Sequence, residues 1–484
     1  LSARLFDGPV PTHRENRFVD FNIEPLLPYM LSTQGPRLAV GDVNGDGTDD
    51  FYRCGAKAQA GELWLSASGD TWRPVSVPFG AEFMVEEVAA VMLDADADGD
   101  LDLFVASGGG EYRPGAEQLR HRLFRNDGLG GMVLDTLTDW PSSNAACVLV
   151  ADMDANGFPD LFIGGRSVPG SYGTPPRNYL LLNDGTGRFT DRTTERCPGL
   201  DTVGMVTAAV WLPDTKRLMV AGEWMPLTSW TPATPGPPTP VPGSGGLWNI
   251  LVAFDGDGDG DLDLVGGNFG RNNPWTANEE QPLSLFVRDF DGNGATDPLL
   301  TYVRQGKRFL FVSRDELVGQ LPDLRKRFVR YADFARQSFG DIFDEQSLQG
   351  CRRLDVETLS STYFENRGSE GFRAQALPPA AQVAPVFAVL PTDVNADGIT
   401  DLLLAGNLHA VQPALGRQDA GAGTVLLGEG KGRFRAVPRQ VHGWYVPGET
   451  RDMQAIRTRE GGMQFLVARN NDTVLRFAVT RPER

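Results

Sequence analysis

The feature that most constrains this chain is a nonapeptide of alternating carboxylates, which occurs six times along 484 residues. Its fullest copy, DADADGDLD, sets Asp94, Asp96, Asp98 and Asp102 at positions 1, 3, 5 and 9, with Gly99 at position 6. The same positions hold Asp42, Asn44, Asp46 and Asp50, then Asp152, Asp154, Asn156 and Asp160, then Asp255, Asp257, Asp259 and Asp263. Asp289, Asp291, Asn293 and Asp297 make the fifth copy, and Asp393, Asn395, Asp397 and Asp401 the sixth. Glycine at position 6 permits the positive φ of a tight loop, so the alternate side chains converge on one hard cation. Ca²⁺, which takes about six to eight oxygens, suits such a set. Up to six Ca²⁺ are therefore expected.

An EF-hand would need a bidentate Glu at position 12 and helices on both sides. Position 12 is instead Arg53, Val105, Ile163, Gly266, Leu300 or Leu404. Short apolar runs such as LFVAS after Asp102 and LLLAG after Asp401 follow each loop, and runs such as VAAVML before Asp94 precede it. Both read as strands. Each loop is thus the turn of a β-hairpin. Two further strands joined by Asn-Asp-Gly or Glu-Gly-Lys-Gly turns follow several hairpins, as in NYLLLNDGTGRFTD at 178–191 and TVLLGEGKGRFRAV at 424–437.

A unit of four antiparallel strands repeated along a whole chain predicts an all-β fold, a β-propeller occupying residues 1–484 as one domain. Loop starts are spaced by 52, 58, 103, 34 and 104 residues. The first long gap contains a hairpin without ligands, AAVWLPDTKRLMVAGEW at 208–224, and another, at 453–471, ends the chain. Eight hairpins result, but 34 residues are too few for a full blade, so seven blades are favoured over eight. Residues 1–36 carry no loop. RLF and RFVDF there read as strands, and the segment near Leu5 and Phe6 is expected to close the ring by completing the last blade.

Two insertions break the rhythm. Residues 231–246 are too rich in Pro and Gly for regular pairing and read as a surface loop. Residues 313–347 read as helical: Ser313 and Glu316 form a capping box, and Leu324, Phe328, Tyr331 and Ala335 fall on one helix face. Arg325, Lys326, Arg327, Arg330 and Arg336 make this the densest basic segment, a candidate docking site for an acidic partner.

The net charge of −18 is mostly loop chemistry, since 20 carboxylates occupy ligand positions. Nucleic-acid binding is not expected without a long basic stripe. No apolar run approaches the roughly 18 residues of a membrane span. The chain starts at Leu1, as a processed or excised segment would. Cys54, Cys147, Cys197 and Cys351 lack CxxC spacing, which argues against zinc. Cys54 and Cys147 read as buried thiols, and up to two disulfides are open.

With these residues in view, the chain resembles the FG-GAP/VCBS repeat family, whose blades carry the D-x-[DN]-x-[DN]-G-x-x-D loop of the integrin α-chain propeller. Strings such as EPLLPYMLSTQGP, GDVNGDGTDDF and DFDGNGATDPLLTY are similar to a bacterial group of VCBS-repeat proteins often associated with an ASPIC/UnbV module. The resemblance implies a calcium-stabilised interaction scaffold that is extracellular, at the cell surface or periplasmic, in a family with no single agreed activity; the first reading is a non-enzymatic module for adhesion or complex assembly with a protein or glycan partner. Polar residues ending the second strands, Arg166, Glu223, Asn268, Asn407 and Asn470, converge opposite the metal loops and are the candidate ligand face. A propeller enzyme acting on polysaccharide, with Glu223 and Arg166 as its first pair to test, is the alternative, and a permanent subunit of a larger surface assembly is a third.

Overall fold

Position 9 of every loop pairs with the residue just before position 1: Gly41 with Asp50, Leu93 with Asp102, Ala151 with Asp160, Phe254 with Asp263, Arg288 with Asp297 and Thr392 with Asp401. Each nonapeptide therefore turns the chain between two antiparallel strands, as its flanking apolar runs dictate. The computed structural model describes residues 1–6, 8–67, 71–75, 84–459 and 462–479. The end of the strand expected at TWRPVSV and the turn at Glu460 and Gly461 lie outside these.

Eight sheets form. In seven of them the first strand of the hairpin is an inner strand: Leu38–Gly41, Glu86–Leu93, Ala145–Ala151, Met205–Leu212, Ile250–Phe254, Val386–Thr392 and Glu449–Arg457. Each inner strand contacts the next, and the last returns to the first. We read this cycle as the blades of the ring. The ligand-free hairpins Met205–Leu212 with Arg217–Met225, and Glu449–Arg457 with Met463–Asn470, take their places in it. The ring closes where Ser2–Arg4 pairs antiparallel with Leu475–Ala478 as the outer strand of the last sheet. The closing strand lies just upstream of Leu5 and Phe6; Leu5 is exposed and the Phe6 ring packs on Trp72 of the first sheet.

The eighth sheet lies outside the cycle. Its strands, in the order Lys307–Leu310, Asp297–Arg304, Leu283–Arg288 and Arg352–Val356, are inserted between Asp263–Gly267 and Thr362–Asn366, the second and third strands of the fifth sheet. The 34-residue spacing thus marks a sheet within a sheet, and the loop at Asp289 belongs to the insertion.

Three local expectations are corrected. RFVDF is not a strand; Asp20–Asn22 is a 3₁₀ turn. The Pro-rich segment does pair, because Thr239–Pro240 forms an edge strand beside Thr228–Trp230, where proline's missing N–H faces outward. The helical insertion is not one helix. The capping box holds Arg314–Gln320, but Pro322 ends it, and a 3₁₀ turn and the short helices Tyr331–Ala335 and Phe339–Ile342 follow. Consequently Phe328 is buried and Leu324 half-buried, while Tyr331 and Ala335 are exposed.

Five inner strands carry a β-bulge near their start, at Glu87/Ala89, Ala145/Cys147, Val206/Ala208, Val386/Ala388 and Thr450/Asp452. A bulge re-aims the extra residue. All five extra residues, Val88, Ala146, Thr207, Phe387 and Arg451, line the same end of the central channel, where about 20 Å³ remains. Along the inner strands the channel opens to about 400 Å³ among small and apolar side chains, including Ala90, Val148 and Ala208. The bulges thus stopper the channel at one end.

Candidate metal loops and the closed opposite face

The six loops share one hydrogen-bond scheme. The position 1 carboxylate accepts the N–H of position 6 through Oδ2 in every copy, from Gly47, Gly99, Gly157, Gly260, Gly294 and Gly398. Those glycines all have positive φ, and so does position 4, including the non-glycines Ala97, Ala155 and Ala396. Two left-handed residues two apart fold the loop tightly enough for the alternate side chains to face inward.

Position 9 does more than the spacing suggested. Its carboxylate is buried in every loop and accepts the N–H of position 2 through Oδ2. Its Oδ1 accepts an N–H from the third strand or just beyond it, from Ser66, Asn126, Asn183, Asn366 or Gly428. In the inserted sheet, Gln320 Nε2 takes that place on Asp297 at 2.6 Å. Burial pushes Asp50 and Asp160 up to about 6 against these hydrogen bonds. Burial likewise raises Asp102, Asp263, Asp297 and Asp401.

Carboxylate oxygens converge within 4.8 Å of one another in four loops: at Asp94, Asp96 and Asp98; at Asp152, Asp154 and Asp160; at Asp255, Asp257 and Asp259; and at Asp289, Asp291 and Asp297. The loops at Asp42 and Asp393 share the backbone scheme without forming such a group among the described residues. In the first of the four, Asp94 Oδ1, Asp96 Oδ1 and Asp100 Oδ1 are buried without a hydrogen-bond partner, as is Asp261 Oδ1 in the third. Orphaned oxygens of this kind suit a hard divalent cation. Asp100 and Asp261 stand at position 7 and were missed by a reading confined to positions 1, 3, 5 and 9. Arg125 was missed as well: its Nη1 lies 3.0 Å from Asp102 Oδ2 and 3.2 Å from Asp96 Oδ2, a guanidinium already inside one loop.

Of the proposed ligand face, Arg166 and Glu223 meet one another, and all five residues are taken up by partners inside the protein. Arg166 Nη2 donates to Glu223 Oε1 at 2.6 Å, and the Tyr172 hydroxyl donates to Glu223 Oε2 at 2.8 Å. Asn268 Oδ1 accepts the N–H groups of Leu247 and Phe269, and Asn407 Nδ2 donates to the carbonyls of Gly421 and Gly448. Asn470 Nδ2 donates to the Thr33 carbonyl. All five residues are buried. The lid over them is the N-terminal segment: Leu27, Tyr29 and Leu31 pack with Tyr172, Trp224, Phe269 and inserted-sheet Leu283 and Leu285. Of the histidines, His13 and His121 are buried, and burial lowers His121 to about 3. All four cysteines are free thiols.

A ring of four-stranded antiparallel sheets with acidic loops at the turns of its inner hairpins defines a β-propeller. Residues 94–163, which span the second loop and run into the third hairpin, match the profile of the FG-GAP-like repeat. No curated protein matches the chain in sequence. Among solved structures, an Agrocybe aegerita lectin specific for non-reducing terminal N-acetylglucosamine superposes with a TM-score of 0.43 at 14% identity, covering 87% of this chain and 83% of its own. The WD40 β-propeller domain of Doa1 gives 0.40 at 10% identity, with 94% and 97% covered. The Vibrio cholerae biofilm matrix protein Bap1 gives 0.35 at 11% identity, with 98% and 92% covered. No helix of the described residues is long and apolar enough to cross a membrane.

Proposed function

We propose that the protein is a calcium-stabilised binding scaffold working outside the cytoplasm, where Ca²⁺ is abundant. The observation that supports this best is the loop at Asp94, where Asp94 and Asp96 of the converging group and neighbouring Asp100 each keep a buried oxygen unpartnered. Asp94, Asp96, Asp98 and Asp100 would hold the ion there, and Asp152, Asp154 and Asp160 would do so in the next hairpin. A bound ion supplies charge neutralisation and a cross-link between the two inner strands of its sheet. Each site at tenfold excess over Kd adds about 1.4 kcal/mol. A few such sites amount to a large share of a domain's net stability. A shell filled by protein oxygens leaves no open position for chemistry, which favours a structural ion over a catalytic one. The work of the scaffold is adhesion or complex assembly.

Calorimetric titration of chelator-treated protein with Ca²⁺, paired with thermal melts, tests this reading. The expected result is exothermic or endothermic binding at several sites, with a melting temperature that falls on chelation. Neither heat nor a shift in melting temperature would overturn it.

A further inference from the structure

The segment from Arg304 to Arg336 holds nine basic residues and four acidic ones in a chain of net charge −18. Six of these cations, from Arg314 to Arg336, divide into two sets. Arg314 and Arg327 are tied down: Arg314 Nε donates to the Phe328 carbonyl at 2.6 Å and Nη1 pairs with Asp315, while Arg327 Nη1 donates to the Ile342 carbonyl at 3.0 Å. Arg325, Lys326, Arg330 and Arg336 are exposed and have no ion pair or side-chain hydrogen bond among the described residues. Unpaired cations so closely spaced in sequence raise the local positive potential, and an anionic partner relieves it.

Next to Arg330 in the sequence stands an aromatic ring held in place. The Tyr331 hydroxyl donates to Asp315 Oδ2 at 2.6 Å, and the Arg314 guanidinium sits 5.1 Å from the ring centroid. Tyr331 is nonetheless 64% exposed, and neighbouring Val329 is 70% exposed. A ring anchored through its hydroxyl and paired with Arg314 loses little conformational freedom on binding. Fixed aromatic surface beside free cations matches a repeating ligand with flat apolar faces and spaced negative charges. Insertion into a lipid surface would instead favour an aromatic free to reorient.

We propose that this segment is the docking site for an acidic polysaccharide, with Tyr331 as the platform for a sugar ring and Arg325, Lys326, Arg330 and Arg336 as the partners of carboxylates on successive sugars. The rest of the acidic surface disfavours a polyanion elsewhere, so the site orients the chain on the polymer. The inference gives the scaffold reading a partner class and rests on it only there. Failure of the calcium reading would show in the metal titration, and failure of this one in sugar binding by the calcium-saturated protein.

The test is calorimetric binding of a galacturonate hexamer to the full chain, with maltohexaose as the uncharged control. The expected result is binding of the hexamer alone, weakening as salt rises. The combined replacement of Arg325, Lys326, Arg330 and Arg336 by Ser should lower affinity at least tenfold with an unchanged melting temperature. Tyr331→Ala should lower it severalfold at an unchanged salt slope, and Tyr331→Phe, which keeps the ring, should retain most of it. No binding of the hexamer, equal binding by the fourfold variant, or Tyr331→Ala without effect would each overturn the proposal. Equal affinity for poly-glutamate or for phosphatidylserine vesicles would also overturn it, by assigning the segment to charge alone.

Discussion

Arg166 and Glu223 form a buried ion pair at 2.6 Å across the second strands of adjacent sheets, with the Tyr172 hydroxyl on the second carboxylate oxygen and the Trp224 indole on Tyr172. Every strong acceptor of Glu223 is thereby engaged, and the pair lies beneath Tyr29 and Leu31. Its work is to hold two sheets in register under the lid. A buried charge left without its partner costs about 3–5 kcal/mol. Glu223→Gln should therefore lower stability by that order in urea unfolding, and the double variant Arg166→Met/Glu223→Gln should lose less than the sum of the singles.

Asp160 and Asp154 would both face the ion, but Asp160 also carries a share of stability that needs none. Asp160 accepts backbone N–H groups from Met153 and Asn183 with no ion required, so Asp160→Asn presents an amide donor to one of two donors. A lost hydrogen bond to a charged group is worth roughly 1.5–3 kcal/mol, and that loss should persist in chelator. Asp154→Asn should instead lower stability only when Ca²⁺ is present. Urea midpoints with and without chelator read both.

Glu15 supplies a pH dependence. Burial pushes its carboxyl from 4.5 up to about 8; Oε1 accepts the Gly35 N–H at 3.1 Å, and Oε2 is buried without a partner. Between pH 4.5 and about 8 the folded state keeps a proton that the unfolded state releases. Stability then falls as pH rises through this window, by up to about 1.4 kcal/mol per unit. Glu15→Gln, which fixes the neutral form, should gain on the native protein steadily from pH 5 to 8 in parallel thermal melts.

The thiols give a further check. With Cys54 and Cys197 buried and all four cysteines unpaired, a reductant should leave the melting temperature unchanged. Burial also raises each thiol, so reaction with a thiol reagent in the folded state should be slow and should speed up on denaturation.

The hairpins were legible because a carboxylate at every second residue followed by glycine has few other uses, and the strands beside it are apolar enough to declare themselves. Even the two ligand-free hairpins could be found by their strands alone. The hairpin at Asp289 was recognised as too close to its neighbour for a full blade, but its destination was not legible, because the motif encodes a turn between two strands and carries no information on which sheet receives them. The same nine residues serve Asp263 in the ring and Asp297 in the insertion. The lid was not legible for a related reason: Tyr29 forms a bridge with Val411, and Met30 donates to the Ala410 carbonyl, contacts between distant residues with no local pattern. Arg166, Glu223, Asn268, Asn407 and Asn470 were grouped by their place at the ends of second strands, and their burial was not visible in that pattern. Their partners, from Tyr172 to the Gly421 and Gly448 carbonyls, come from loops whose course no local pattern announces.

Ser2–Arg4 finds its partner in Leu475–Ala478, so this strand waits for the whole intervening propeller to be made before it can pair. During that interval the sheet edges at the open seam stay available to other chains. Slow translation or scarce chaperones would accordingly show up as aggregation of nascent protein rather than as a weaker finished molecule.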